Sequence, residues 1–207
     1  VRDGLAAVNQ IRQIGKRLYV CGDQGQVYRR EDSGWVHFDE GLLDRNVSAS
    51  ALCLNSIDGS SDEDIYVVAD HGRIFHFDGS QWSELDTPTN QHLERVRCVN
   101  SDEFYICGKN GVFFKGSPNG FEDFSVGGMK EYFWGLEHFE DKVYLAALKG
   151  LFVFDGTSVE PLATGLEPEI GGYRLSARKG MLWSFGVDDL ASFNGKEWTR
   201  LKHPDNP

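Results

Sequence analysis

One short pattern recurs five times along the chain, and it limits the possible folds more than any other feature. Apolar and aromatic runs stand at Leu18-Tyr19-Val20, Ile65-Tyr66-Val67, Phe104-Tyr105-Ile106, Val143-Tyr144-Leu145 and Leu182-Trp183-Ser184. Their first residues are 47, 39, 39 and 39 positions apart. Seven residues after each start comes a turn position: Gly25, Gly72, Gly111, Gly150 and Asp189. Self-similarity at a fixed period of about 40 residues marks a repeat architecture, in which each unit buries its apolar surface against its neighbours.

Each copy continues alike. An alternating run follows the turn, as in Arg73-Ile74-Phe75-His76-Phe77 or Leu151-Phe152-Val153-Phe154. Next comes a tight turn, Asp78-Gly79, Asp155-Gly156 or Asn194-Gly195, dipeptides that supply positive φ in a short hairpin. A strand led by Trp35, Trp82, Phe121, Val159 or Trp198 closes the unit, and a further apolar run precedes each tyrosine segment. Four short strands per unit, without helical periodicity, describe an all-β fold: a β-propeller of five four-stranded antiparallel blades. The blades fall at about 6–38, 47–85, 93–124, 132–162 and 172–201 of a single domain covering 1–207. Strand a is innermost, the tyrosine run is strand b, and the Trp-led strand is the outer d.

Two details refine the register. Cys53 and Cys98 each precede an apolar residue and then Asn-Ser, which places them at equivalent points of strand a. The longer first spacing is assigned to an acidic insert, residues 57–64, in the a–b turn of the second blade. At the N-terminus, Gly4-Leu5 matches the Gly41-Leu42 and Gly165-Leu166 that follow strand d. It reads as the tail of that element with its strand missing. The ring is therefore either five blades with a short leader or part of a longer six- or seven-bladed ring.

The repeat unit, with its [YW] in strand b, Gly at the b–c turn and Asp-Gly before a Trp, resembles the degenerate repeats of bacterial propellers in the sialidase-like and kelch-like sets. That resemblance implies the fold and little about activity, because propellers host many functions. The sialidase Asp-box spacing is absent from Phe77-Asp78-Gly79-Ser80-Gln81-Trp82. The kelch Gly-Gly pair is absent after Cys21 and Cys107, and so is the WD40 signature.

Composition narrows the partner. The chain of 207 residues carries 21 Lys and Arg against 32 Asp and Glu, a net charge of −11. Such a surface repels phosphate backbones, so nucleic acid is not an expected ligand. No apolar run of membrane-spanning length occurs, and Val1-Arg2-Asp3-Gly4 has no signal-like apolar region, so neither membrane insertion nor an export address is expected. Cys21, Cys53, Cys98 and Cys107 lack metal-ligand spacing and lie in apolar runs. They read as reduced and buried, which suits the cytoplasm.

Propeller geometry sorts the loops. The b–c turns and d–a connections share one face, and they are longer and chemically more varied than the turns on the other. Candidate binding residues in the b–c turns are Asp23, Gln24, Asp70, His71, Lys109, Asn110, Lys149, Asp188 and Asp189. The d–a connections add Asp44, Arg45, His92, Glu94, Glu131 and Tyr132. Of Tyr132-Phe133-Trp134, alternation sends at least one ring into the packing, with Tyr132 expected at the surface. Asp58, Asp62, Glu63 and Asp64 lack calcium-loop spacing and read as a solvated acidic loop.

No nucleophile motif appears, and no cofactor, metal or catalytic residue is expected. His71 or His92 beside Asp70 or Glu94 could form a proton-transfer pair, but no spacing requires it. The expected function is non-catalytic protein binding: an acidic propeller that caps a basic partner, for example an immunity protein neutralising a bacterial toxin. A lectin-like propeller binding carbohydrate or another small ligand is the alternative, although its repeated site would need repeated loop residues. A glycoside hydrolase fits least, since blades this short leave little room for a walled cleft.

Overall fold

The computed structural model describes residues 7–42 and 52–202. Twenty strands follow one another there without an α-helix, and they form five four-stranded sheets. The first blade holds β1 (Val8–Ile14), β2 (Arg17–Gly22), β3 (Val27–Glu31) and β4 (Gly34–His37). The second holds β5 (Leu54–Ser61), β6 (Asp64–Ala69), β7 (Ile74–Phe77) and β8 (Trp82–Leu85). The third holds β9 (Leu93–Asn100), β10 (Glu103–Gly108), β11 (Phe113–Ser117) and β12 (Gly120–Asp123). The fourth holds β13 (Gly135–Phe139), β14 (Lys142–Ala147), β15 (Gly150–Phe154) and β16 (Val159–Leu162). The fifth holds β17 (Arg174–Arg178), β18 (Met181–Phe185), β19 (Leu190–Phe193) and β20 (Trp198–Arg200). Chain order equals spatial order in every sheet, so each blade is a meander, and the fold is a β-propeller of five four-stranded antiparallel blades.

The chain divides into two compact units, Val1–Ile106 with Lys115–Phe121, and Cys107–Phe114 with Glu122–Pro207. In the first unit the core lies between the first two blades: Ile14, Tyr19, Cys21 and Val27 meet Leu54, Ile57, Ile65, Val67 and Phe75. β6 is buried from Ile65 to Ala69, because a strand covered on both faces needs an unbroken apolar run. In the second unit Phe139, Tyr144, Leu151, Leu182, Ala191 and Trp198 make the equivalent core.

The tryptophans show what the repeat provides. Trp82 pairs in register with Phe77, Trp198 with Phe193 and Trp35 with Arg30, so all three hold the same place in the ladder. Their burial differs. Trp82 is 7% exposed; its indole N–H donates to Phe38 O at 2.7 Å, and its ring meets Phe38 and Phe77. Trp198 stacks on Phe193 at 5.1 Å. Trp35 lies across from an exposed arginine and is 45% exposed. Equivalent sequence position does not guarantee equivalent packing.

The acidic insert is not where the spacing suggested. β5 and β6 close at Ser61↔Asp64, leaving a two-residue a–b turn like the one between β9 and β10. The extra residues lie instead between β4, which ends at His37, and β5, which starts at Leu54. Cys53 accordingly precedes strand a, whereas Cys98 lies two residues from the end of one, so the shared Asn-Ser was a coincidence of sequence.

The acids of this hairpin are not a free solvated loop either. Asp58 is 2% exposed; it accepts from Arg12 Nε at 2.8 Å, Arg97 Nη1 at 2.8 Å and the Cys98 amide at 3.0 Å. Burial raises its carboxyl to about 6 against the pull of Arg12 and the Cys98 amide. Asp62 accepts from the Tyr19 hydroxyl at 3.0 Å, and burial with this carboxylate pushes the phenol up to about 12. Burial would raise Asp64, but bonds from His76 and Ser60 hold it below the usual carboxylate range. The Gly4-Leu5 leader and the predicted site residues Asp44 and Arg45 lie outside the described residues.

Trp82→Ala is expected to lower unfolding free energy by about 3–5 kcal/mol, since it empties a packed aromatic site. Trp35→Ala should change it by less than about 1 kcal/mol. Urea unfolding of both variants checks this, and equal losses would show that Trp35 is covered.

Candidate functional site

Backbone hydrogen bonds stitch the d–a connections before β5, β13 and β17 to b–c turns. In the first unit Gly25 N donates to Leu52 O at 3.0 Å and Asp70 N to Cys53 O at 3.4 Å. In the second, Gly111 N donates to Glu131 O at 2.9 Å, Phe133 N to Gly108 O at 3.1 Å and Gly172 N to Ala147 O at 3.0 Å. Within each unit, then, the connections and b–c turns form one rim, as the loop sorting anticipated. Close approach explains some glycines: a Cβ on Gly72, which also has φ of +73°, would strike the carbonyl oxygen of Thr89.

The b–c turns of the first three blades share one conformation. Gln24, His71 and Asn110 all have φ near +60° (61°, 60° and 59°), each followed by a glycine at positive φ. All three are exposed, as is Lys109. The turns thus repeat in shape while varying in side chain, which allows a common scaffold to present different chemistry.

The first unit's rim holds a continuous polar network. Asn9 Nδ2 and Cys53 Sγ donate to Asp23 Oδ1 at 3.0 and 2.9 Å. Cys53 Sγ also lies 3.2 Å from Asn55 Oδ1. The buried Asn55 donates to Asp70 Oδ1 at 3.1 Å and to Leu93 O at 2.8 Å. His92 pairs through Nδ1 with Asp70 and through Nε2 with Glu94 at 3.2 Å. Glu94 is held in turn by the buried Arg95 at 2.9 Å. Asp70, His92 and Glu94 are brought together and joined to Asp23 through Cys53 and Asn55, while His71 points to solvent as an exposed residue.

The sequence missed Asn9, Cys53, Asn55 and Arg95 as members of this network. The only signal for Asn55 was a polar residue inside an apolar strand run. Burial and the bond to Asp23 push the Cys53 thiol up to about 12. Cys53 is thus part-buried among polar groups and not embedded in an apolar strand, unlike Cys21, Cys98 and Cys107. All four thiols are free.

The second unit's rim is built differently. Tyr132 and Trp134 stack at 3.9 Å and 10°, and Tyr173 meets Trp134 edge-on at 5.6 Å. Phe133, between the first two in sequence, is fully buried, as alternation requires. Trp134 Nε1 is buried without an acceptor. Lys149 and Asp188 are exposed, Glu131 is half-buried, and Asp189 is held by Arg200 at 2.8 Å.

Comparison with known proteins follows the same line. The chain is 30% identical to Immune protein Tsi7 of Pseudomonas aeruginosa over 184 residues, which is 88% of this chain and 60% of that protein. It resembles an immune protein. The chain therefore spans about three-fifths of that relative's length. Among solved structures, YCF48 bound to D1 peptide superposes with a TM-score of 0.69 at 15% identity, covering 95% of this chain and 67% of that one, a likeness of fold. No protein-family model matches the chain.

If the network braces the rim, Asn55→Ala should cost about 2–3 kcal/mol in urea unfolding, because it strands Asp70 and the Leu93 carbonyl. A thiol reagent at pH 8 should leave Cys21, Cys98 and Cys107 unmodified in native protein and reach Cys53 slowly. All four should react in denaturant, and rapid native labelling of Cys53 would contradict its bond to Asp23.

Proposed function

We propose that this chain is a non-catalytic, protein-binding propeller that serves as an immunity protein, neutralising a toxin by capping it. The similarity to Immune protein Tsi7 across 88% of the chain carries this reading. The rim geometry supports it. The turns vary in side chain from blade to blade, which suits one large asymmetric partner better than several identical small ligands. His92 is braced between two carboxylates whose other bonds go to Asn55 and Arg95, an arrangement that fastens loops together.

The partner in this proposal is basic. A net charge of −11 gives the chain a negative field that speeds encounter with a cationic protein and disfavours acidic ones. The cytoplasm is the proposed location, supported by four free thiols of which three are buried. The sialidase-like and kelch-like character of the repeat is likewise a proposal, supported by the blade pattern alone.

The structure changes how the binding residues should be tested. Asp23 and Asp70 accept internal hydrogen bonds, so reversing their charge would damage the rim itself. Exposed positions such as Gln24, His71, Lys109 and Lys149 probe binding without that cost.

Cells expressing a toxin drawn from the genes that neighbour this chain's own should survive when the chain is co-expressed and die without it. Association of the purified pair should slow about tenfold or more as ionic strength rises from low to several hundred millimolar, with dissociation less affected. Survival that does not depend on the chain would refute the immunity reading. Salt-independent association would refute the charge argument.

A further inference from the structure

The second unit carries an apolar ledge on its rim, and we infer that this ledge anchors the protein partner through an arginine-bearing apolar patch. The inference rests on the immunity reading and names the surface that would perform it. Val187 is 72% exposed and Leu148 is 49% exposed, although each sits in a b–c turn where the sequence drew attention only to Lys149, Asp188 and Asp189.

These residues form one surface because their backbones touch. Gly172 N donates to Ala147 O, beside Leu148, and a Cβ on Gly171 would strike the Leu148 carbonyl. A Cβ on Gly186, which precedes Val187, would likewise strike the Gly171 carbonyl oxygen. Tyr173 N donates to Phe185 O at 2.8 Å, and Trp134 N to Ala146 O at 2.8 Å. Leu148 and Val187 therefore flank the passage that carries Tyr173, whose ring meets the Tyr132–Trp134 stack.

Exposed apolar groups gathered on a rigid rim mark interaction surfaces, and aromatic rings dominate the binding energy of such patches. The chemistry selects the occupant. The half-buried rings of Tyr132, Trp134 and Tyr173 attract a guanidinium through their faces, and Glu169, exposed while one carboxylate oxygen accepts from Thr164, lies on the same connection as Tyr173. The charge of −11 adds the long-range term that favours such a cation over a neutral surface. Leu148 and Val187 would take the apolar side chains around it.

The probe is a non-toxic variant of a toxin drawn from the genes that neighbour this chain's own, titrated against the purified chain. The double variant Leu148→Asp with Val187→Asp should weaken binding about a hundredfold, mainly through faster dissociation, with unchanged urea unfolding. Tyr132→Ala should weaken it at least tenfold. Lys196→Glu, in the c–d turn of the fifth blade, should change affinity less than about threefold. If the parent binds and the ledge variants bind equally well, the ledge inference is wrong and the immunity reading stands. If the parent chain does not bind that toxin, the immunity reading falls and the ledge with it.

Discussion

Between one blade and the next, the chain leaves an outer strand and re-enters at an inner one, and the peptide groups of that passage need partners. The b–c turns supply them: Gly25 to Leu52, Asp70 to Cys53, Gly111 to Glu131 and Gly172 to Ala147. A buried peptide group without a partner costs about as much as a lost hydrogen bond, so the turns and connections must rise or fall together. This interlock makes one end of the blades a rim instead of a set of independent loops. It also accounts for glycines such as Gly72 and Gly171, where any side chain would strike a carbonyl.

Side chains reinforce the interlock in two ways. In the first unit the line from Asp23 through Cys53, Asn55 and Asp70 to His92 and Glu94 ties loops by buried polar bonds. Farther along the same inner strands, Asp58 joins Arg12 of β1 to Arg97 of β9. A buried carboxylate held by two arginines adds geometric selectivity more surely than net stability. In the second unit Arg200 ties Asp189 to the Glu167 and Pro168 carbonyls, rings and glycine contacts add to it, and Leu148 and Val187 stand at the surface.

Much of the fold was legible because the blade is a repeat: strand order, the tyrosine strands and the turn glycines all follow from spacing. What misled was local similarity without register. Cys53 and Cys98 share flanking residues, yet Cys53 stands just before its strand and Cys98 near the end of one, and this moved an insertion from the d–a connection to the a–b turn. Trp35 keeps its ladder position opposite Arg30, and no pattern within one blade reveals what covers it. At the site, the acids and His92 were visible as polar loop residues, but their joining residue Asn55 lies inside a strand. Leu148 and Val187 escaped notice because a search for polar loop residues passes over aliphatic ones.

Under the proposed function the rim of b–c turns and d–a connections is the binding surface, prebuilt by the interlock. Hydrogen–deuterium exchange of the chain with and without the toxin partner proposed for it tests this directly. Amides of the rim, among them those flanking Leu148, Gly172 and Val187, should gain protection, while the a–b and c–d turns around Glu63, Gly79 and Gly195 should exchange as before. Protection confined to those a–b and c–d turns, with the rim unchanged, would contradict it.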